Sequence, residues 1–217
     1  KHIPGDRLGI HAHNDTEQAV ANSLAAVRAG VRQVQGTLNG LGERCGNANL
    51  TSIIPTLLLK TDYAERFETG VTPEKLKTLT HASRILDELL NRAPNRRAPY
   101  VGESAFAHKG GIHVSAVQKD PRTYEHVPPE AVGNRRRLLV SDQGGRSNIL
   151  AELDRIGIAV PKDDPRIARL LDEVKEREAN GYAYEAADAS FELLARRMLG
   201  NVPQFFDVES FRVMVER

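Results

Sequence analysis

Apolar and polar positions alternate with two different periods along this chain, and the switches between them outline its elements. Residues 7–13 alternate like a strand and end at the polar run Asn14-Asp15-Thr16. Asp15 or Thr16 can cap a following helix, in which Val20, Leu24 and Val27 recur at helical spacing on one face. Gly30 stands where a helix C-terminus wants glycine, and residues 31–36 read as the next strand. Strand, helix and strand joined by short connections form the βαβ unit of a parallel sheet or barrel. From Ala48 the pattern turns helical through Ile53, Ile54, Leu57 and Leu58, with Pro55 an awkward interior residue. After a polar stretch over 62–72, Thr72-Pro73-Glu74 predicts a capped helix start. Its apolar stripe of Leu76, Leu79, Ile85, Leu86, Leu89 and Leu90 predicts core packing up to Ala93-Pro94.

The second half reads as loops and then helices. Residues 94–104, broken by Pro94, Pro99 and Gly102, predict an irregular crossing segment. Residues 120–133 are rich in turn formers, and Asn134-Arg-Arg-Arg137 reads as a solvated basic run able to meet a phosphate. A short strand over 138–140 leads to a second glycine turn, Asp142-Gln-Gly-Gly-Arg146, after which Ser147 caps a helix ending near Gly157. Residues 165–180 and 186–199 predict two amphipathic helices closed by Gly181 and Gly200. Residues 205–215 revert to strand-like alternation, a lone strand that reads as the start of a further domain. The chain also opens on what resembles the middle of an alternating fold, so truncation is expected.

Composition narrows the functional classes. The 217 residues suffice for one large domain or two modest ones with ample apolar content. A net charge of +1 provides no single-sign field for nucleic acid or acidic lipid. No apolar run approaches the roughly 18–20 residues of a membrane span, and no signal-peptide pattern precedes the first strand. The single cysteine, Cys45, cannot form an internal disulfide, which fits a reducing cytoplasm. With no tryptophan and few aromatics, stacking platforms for single-stranded nucleic acid are not expected.

Two stretches carry candidate chemistry. In Gly9-Ile-His-Ala-His-Asn-Asp15, strand alternation places His11 and His13 on one side, where they can share an ion. Asn39-Gly-Leu-Gly-Glu-Arg-Cys-Gly-Asn47 is a glycine-rich loop carrying an acid, a base and an amide. Either motif alone is weak: a His-x-His is as often a surface accident, and Gly-x-Gly is common. Together they point to a metal or anion site at the C-terminal ends of neighbouring strands, where α/β folds gather ligands. Further along, paired glycines separate His108 from His113 and suggest a close backbone approach, although both histidines also read as ordinary polar loop residues.

These two motifs resemble the second signature of the isopropylmalate, homocitrate and citramalate synthases. Val-Gln-Gly-Thr-Leu-Asn-Gly, Tyr100-Val-Gly, Ala-Phe-Ala-His-Lys-Gly-Gly-Ile-His-Val-Ser-Ala, Ser-Asp-Gln-Gly-Gly-Arg-Ser-Asn and Ala-Ser-Phe-Glu-Leu-Leu resemble the citramalate branch in particular. The resemblance implies an α/β fold: the C-terminal part of a (β/α)8 TIM barrel over 1–102, then mostly helical linker subdomains over 103–140 and 141–201. It also implies the first strand of a regulatory domain over 202–217. The family's Asp-x-Thr-x-Arg-Asp-Gly motif, source of a metal-binding aspartate and a catalytic arginine, does not occur in this sequence.

The implied reaction condenses acetyl-CoA with a 2-oxo acid, pyruvate in the citramalate branch, within branched-chain amino-acid biosynthesis. By the same resemblance His11, His13 and Asn47 would bind a divalent metal (Mg2+, Mn2+ or Zn2+), and Glu43, His113 and Tyr124 would be catalytic. His113 and Tyr124 would reach the site of the partner subunit, which implies a homodimer. Neither nucleic acid nor membrane is an expected partner. Competing readings are a 2-isopropylmalate or homocitrate synthase, another metal-dependent barrel lyase or hydrolase, and a catalytically incomplete binding fragment.

Overall fold

The computed structural model describes residues 3–139, 144–184, 187–200, 202–203 and 205–216. The chain divides into two compact units, one of Lys1–His108 with Ala116–Arg137, the other of Lys109–Ser115 with Leu138–Arg217.

The first unit opens with the expected βαβ passage. Strand β1 (Gly9–His11), helix α1 (Ala19–Arg28) and strand β2 (Gln33–Gln35) follow in order, and the strands pair in parallel with Ile10 opposite Val34. Both strands are shorter than the alternation predicts, and Arg7, expected to open the first, instead ends a 3-10 turn over residues 5–7. The expected cap is also displaced. Glu17 takes a positive φ of 63°, the helix starts only at Ala19, and the Asn14 carboxamide rather than Asp15 or Thr16 accepts its first N–H. Gly30, at φ 114°, closes α1 as predicted.

Helix α2 (Leu50–Leu59) is capped by Asn49, whose side chain accepts from Thr51 N–H, and it carries Pro55 in its interior. Ile53 of this helix joins Ala19 and Ala48 in a small core beneath the strands, with Ala12, Val20, Leu24 and Val34 packed around them. The short α3 (Thr61–Ala64) and α4 (Pro73–Leu76) precede α5 (Leu79–Leu89). Thr72 caps α4 as predicted, accepting from Lys75 N–H at 3.3 Å.

The leucine stripe behaves differently from its prediction. Leu76 and Leu79 are buried with Tyr100, Val101, Phe106, Val127 and Val132, whereas Leu89 is 78% exposed and Ile85 and Leu90 are also exposed. The buried face of α5 is instead partly polar. Thr80 donates to the Val132 carbonyl at 2.7 Å and Ser83 to the Asn39 carboxamide at 2.7 Å, so these hydroxyls enter the interior with partners. Two two-residue strands, β3 (Ala107–His108) and β4 (Arg137–Leu138), complete the strand inventory of the described residues, and Arg137 N–H donates to the Phe106 carbonyl at 3.0 Å.

The second unit is helical. It contains the first turns of α6 (Gly111–Lys119), then α7 (Arg146–Arg155), α8 (Pro165–Ala179) and α9 (Asp188–Met198). Helix α7 begins two residues earlier than expected, with Gly145 rather than Ser147 at its cap position. Ile149, Leu153, Ile167, Leu170, Val174, Phe191 and Leu194 make one apolar core, the periodic face that the sequence shows. Val140, Asp142 and Gln143, part of the expected strand and glycine turn, lie outside the described residues. The strand expected over 205–215 is not formed among the described residues, where Phe205, Phe211 and Met214 are all more than four-fifths exposed.

Candidate active site and metal centre

Strand β1 ends at His11, and the backbone keeps its alternation for two more residues. Ala12 packs onto the small core of the first unit, which leaves His11 and His13 on the opposite, exposed side. Their ring centroids lie 5.1 Å apart with the planes at 78°. The glycine-rich loop is laced alongside them. Asn14 N–H donates to the Gly46 carbonyl at 2.8 Å, Ala48 N–H donates to the Ala12 carbonyl at 3.0 Å, and His13 and Asn47 form an isolated antiparallel bridge.

Glycine makes this close approach feasible. Gly46 is buried with φ at 89°, and a Cβ there would collide with the Gly40 carbonyl oxygen, well inside the 3.0 Å that real Cβ atoms respect. A Cβ on Gly42 would lie 2.5 Å from the Asn47 side-chain nitrogen. Asn47 donates from Nδ2 to the Leu41 carbonyl at 3.2 Å, yet its Oδ1 is buried with no hydrogen-bond partner among the described residues. An unmet buried acceptor costs free energy, which an ion or donor at that point would recover. Two imidazoles and a carboxamide oxygen fit a divalent cation that accepts nitrogen and oxygen ligands. No cluster of three or more His, Cys, Asp or Glu side chains placed for an ion exists among the described residues, so this donor set has no carboxylate of its own.

Glu43 stands at the exposed rim of the loop. Its side chain is 84% exposed, with the carboxylate 3.6 Å from the Arg44 guanidinium. Arg44, itself at φ 55°, turns to Asp15 and donates Nε–H to Oδ1 at 3.1 Å and Nη2–H to Oδ2 at 3.0 Å. These hydrogen bonds, reinforced by the guanidinium charge, outweigh the opposing effect of burial and hold the Asp15 carboxyl below its usual range. The fork ties the loop a second time to the segment after β1.

Tyr124 follows a 3-10 turn over Pro121–Thr123 and is 45% exposed. Its ring stands edge-on to His108, with centroids 6.4 Å apart. His108 is no loose loop residue. It is buried, and its Nε2 lies 3.2 Å from Oε1 of Glu125, whose side chain is only 3% exposed. Arg136 donates to both Glu125 oxygens at 2.6 Å. Burial pushes the Glu125 carboxyl up, but the hydrogen bonds and charges of Arg136 and His108 outweigh it and hold the group below its usual value. The run 135–137 is thus not simply a solvated basic patch, since Arg137 also pairs with Glu103 at 2.7 Å. No periodicity marks Glu125 in the sequence. An acid within a turn-rich stretch, followed by an arginine run, is the one available hint.

His113 is exposed in the first turn of α6 and belongs to the second unit. The approach to it is fixed by Asn148 of α7, which donates to the Lys109 and Leu139 carbonyls at 2.9 and 3.0 Å and accepts from Gly145 N–H. Within the first unit the structure brings His11, His13 and Asn47 to one place, with Glu43 on the same loop.

Comparison with known proteins identifies relatives of the chain. Residues 1–84 match the family described as HMGL-like, a TIM-barrel family, and residues 100–181 match the homocitrate synthase post-HMGL domain-like family. An (R)-citramalate synthase of Synechocystis sp. is 55% identical over 207 residues, 95% of this chain and 37% of its own length. The (R)-citramalate synthase of Geobacter sulfurreducens is 54% identical over 217 residues, 100% of this chain and 40% of its own length. A probable 2-isopropylmalate synthase of Methanopyrus kandleri is 39% identical over 199 residues, 91% of this chain and 37% of its own length. The chain spans well under half the length of these curated relatives. With two family matches in sequence and more than half of its positions shared over nearly all its length, the chain belongs to the HMGL-like citramalate and isopropylmalate synthase family.

Proposed function

We propose that this chain is part of an acyltransferase that condenses acetyl-CoA with a 2-oxo acid, pyruvate being the acceptor and (R)-citramalate the product. The observation that carries this reading is the paired imidazoles of His11 and His13 beside the buried, unmet Asn47 oxygen. The higher identity to citramalate synthases than to the isopropylmalate synthase supports pyruvate over bulkier acceptors. Residues 1–102 would contribute the last barrel strands, 103–201 the linker subdomains and 202–217 the start of an effector-binding domain.

In this reading His11, His13 and Asn47 hold a divalent cation, Mg2+, Mn2+ or Zn2+. When bound, the cation supplies Lewis-acid polarisation of the acceptor's keto group. Glu43 lies at the rim, where acetyl-CoA would enter, and its open carboxylate can orient or exchange a proton with a base. His113 is exposed and carries a titratable nitrogen; removing a proton from the acetyl methyl group is the role assigned to it. The Tyr124 phenol would donate to oxygen as negative charge develops there. Because His113 and Tyr124 act on the partner's substrate in this scheme, the enzyme works as a homodimer.

The test uses the complete enzyme, following thiol release with pyruvate, 2-oxoisovalerate and 2-oxoglutarate. Pyruvate-dependent release that a chelator abolishes and Mn2+ restores is the expected result. His13→Ala should lower Mn2+ affinity at least tenfold, about 1.4 kcal/mol. Unchanged Mn2+ binding in His13→Ala removes the metal assignment, and preference for 2-oxoisovalerate moves the enzyme to the isopropylmalate branch.

A further inference from the structure

Among the described residues of the first unit, one buried carboxylate has no use in the proposed reaction. Glu125 has a side chain 3% exposed, His108 one of 10%, and Arg136 one of 32%. A buried carboxylate is tolerated only with full satisfaction of its oxygens, and here three contacts converge on it. Arg136 occupies both oxygens with a two-pronged fork, and His108 adds a third contact to Oε1. Apolar side chains in place of all three groups could fill such a place at little loss of stability, but they would leave the turn free to choose its rotation. The fork prescribes a single orientation.

That orientation belongs to the residue next to Tyr124. The Tyr124 and Glu125 N–H groups both donate to the Pro121 carbonyl, at 3.2 and 2.9 Å. Beyond the turn, Val127 is buried in the apolar core. Tyr124 is therefore held on one side by the Pro121 carbonyl and on the other by the fastened Glu125, with the edge of its ring towards His108. A half-exposed phenol whose backbone is fastened this way is pre-organised, needing little ordering when it meets a substrate.

We propose that Glu125 is a positioning residue for Tyr124, its carboxylate clamped by Arg136 and His108 so that the turn presents the phenol in a single pose. The inference rests on the reading that Tyr124 reaches the reacting groups. His108 and Arg136 act through Glu125 and touch no substrate.

A double-mutant cycle in the complete enzyme tests it, using Tyr124→Phe, Glu125→Gln and both together. Glu125→Gln is expected to lower kcat about tenfold while KM for the 2-oxo acid stays within about twofold. The double variant should be no slower than Tyr124→Phe alone, because the clamp works through that phenol. Arg136→Lys, which keeps the charge but loses the fork, should fall between the parent and Glu125→Gln, and it replaces Glu125→Gln in the cycle should the latter not fold. If Tyr124→Phe slows turnover and the two losses multiply, the positioning role is overturned while the role of Tyr124 stands. If Tyr124→Phe turns over like the parent, the role of Tyr124 falls and the positioning role falls with it.

Discussion

Gly46→Ala is the most direct probe of how the glycine-rich loop is built. An alanine at φ 89° sits outside the conformations open to L-residues, at a cost of roughly 1–2 kcal/mol. Its Cβ would also overlap the Gly40 carbonyl oxygen, a backbone atom that cannot swing aside as a side chain would. Relieving such an overlap by backbone movement costs roughly 1–3 kcal/mol more. The strain is capped by the bonds that fasten the loop, since the loop can detach instead. The bonds at or next to Gly46 that a local detachment would break are Asn14 N–H to Gly46 O, Gly46 N–H to Glu43 O and Asn47 N–H to Gly40 O, between 2.8 and 3.0 Å. At about 1 kcal/mol net apiece, detachment limits the loss to roughly 3 kcal/mol. We therefore expect a stability loss of about 2–3 kcal/mol, with Asn47 displaced from His11 and His13. Mn2+ affinity should then fall at least tenfold.

Isothermal titration of the complete enzyme with Mn2+ and urea unfolding measure the two effects. Gly70→Ala is the control, because a Cβ there meets nothing within 4 Å. It should change stability by less than about 0.5 kcal/mol. A Gly46→Ala variant with the parent's unfolding midpoint and Mn2+ affinity would refute the account of the loop.

Two further outcomes follow from the cores of the two units. Phe191 is 1% exposed and stands edge-on to Tyr184 at 6.3 Å, so Phe191→Ala should cost about 3–5 kcal/mol in urea unfolding; a loss under about 1 kcal/mol would contradict its place at the centre of that core. Glu125 is held below the usual carboxyl range of about 4.3, so its contribution is complete above that pH, where folded and unfolded chains both carry the charge. As pH falls further the unfolded chain takes up the proton first, and stability drops until the folded carboxyl is protonated too. Unfolding midpoints measured between pH 6 and pH 3 should show this decline, and Glu125→Gln should flatten it; a rise in stability on acidification would reverse the sign of the argument.

Local chemistry determined a good deal of this protein before any fold was known. Period-two alternation puts His11 and His13 on one side whatever surrounds them, Gly30 and Gly181 close helices because a positive φ suits glycine, and Thr72 before Pro73 starts one. Each is a property of a few consecutive residues. The one-sided apolar faces of α8 and α9 were legible for the same reason. Tertiary structure decided which polar groups go inside. Ser83 is buried because Asn39, 44 positions away, accepts its hydroxyl, and Thr80 because the Val132 carbonyl lies 52 positions on. Glu125 is buried because Arg136 and His108 meet it. The same selection left Leu89 in solvent although the helical stripe placed it in the core. Apolar periodicity records what a segment prefers by itself, whereas burial of a charge or hydroxyl requires a partner that only the folded chain can bring within hydrogen-bonding distance.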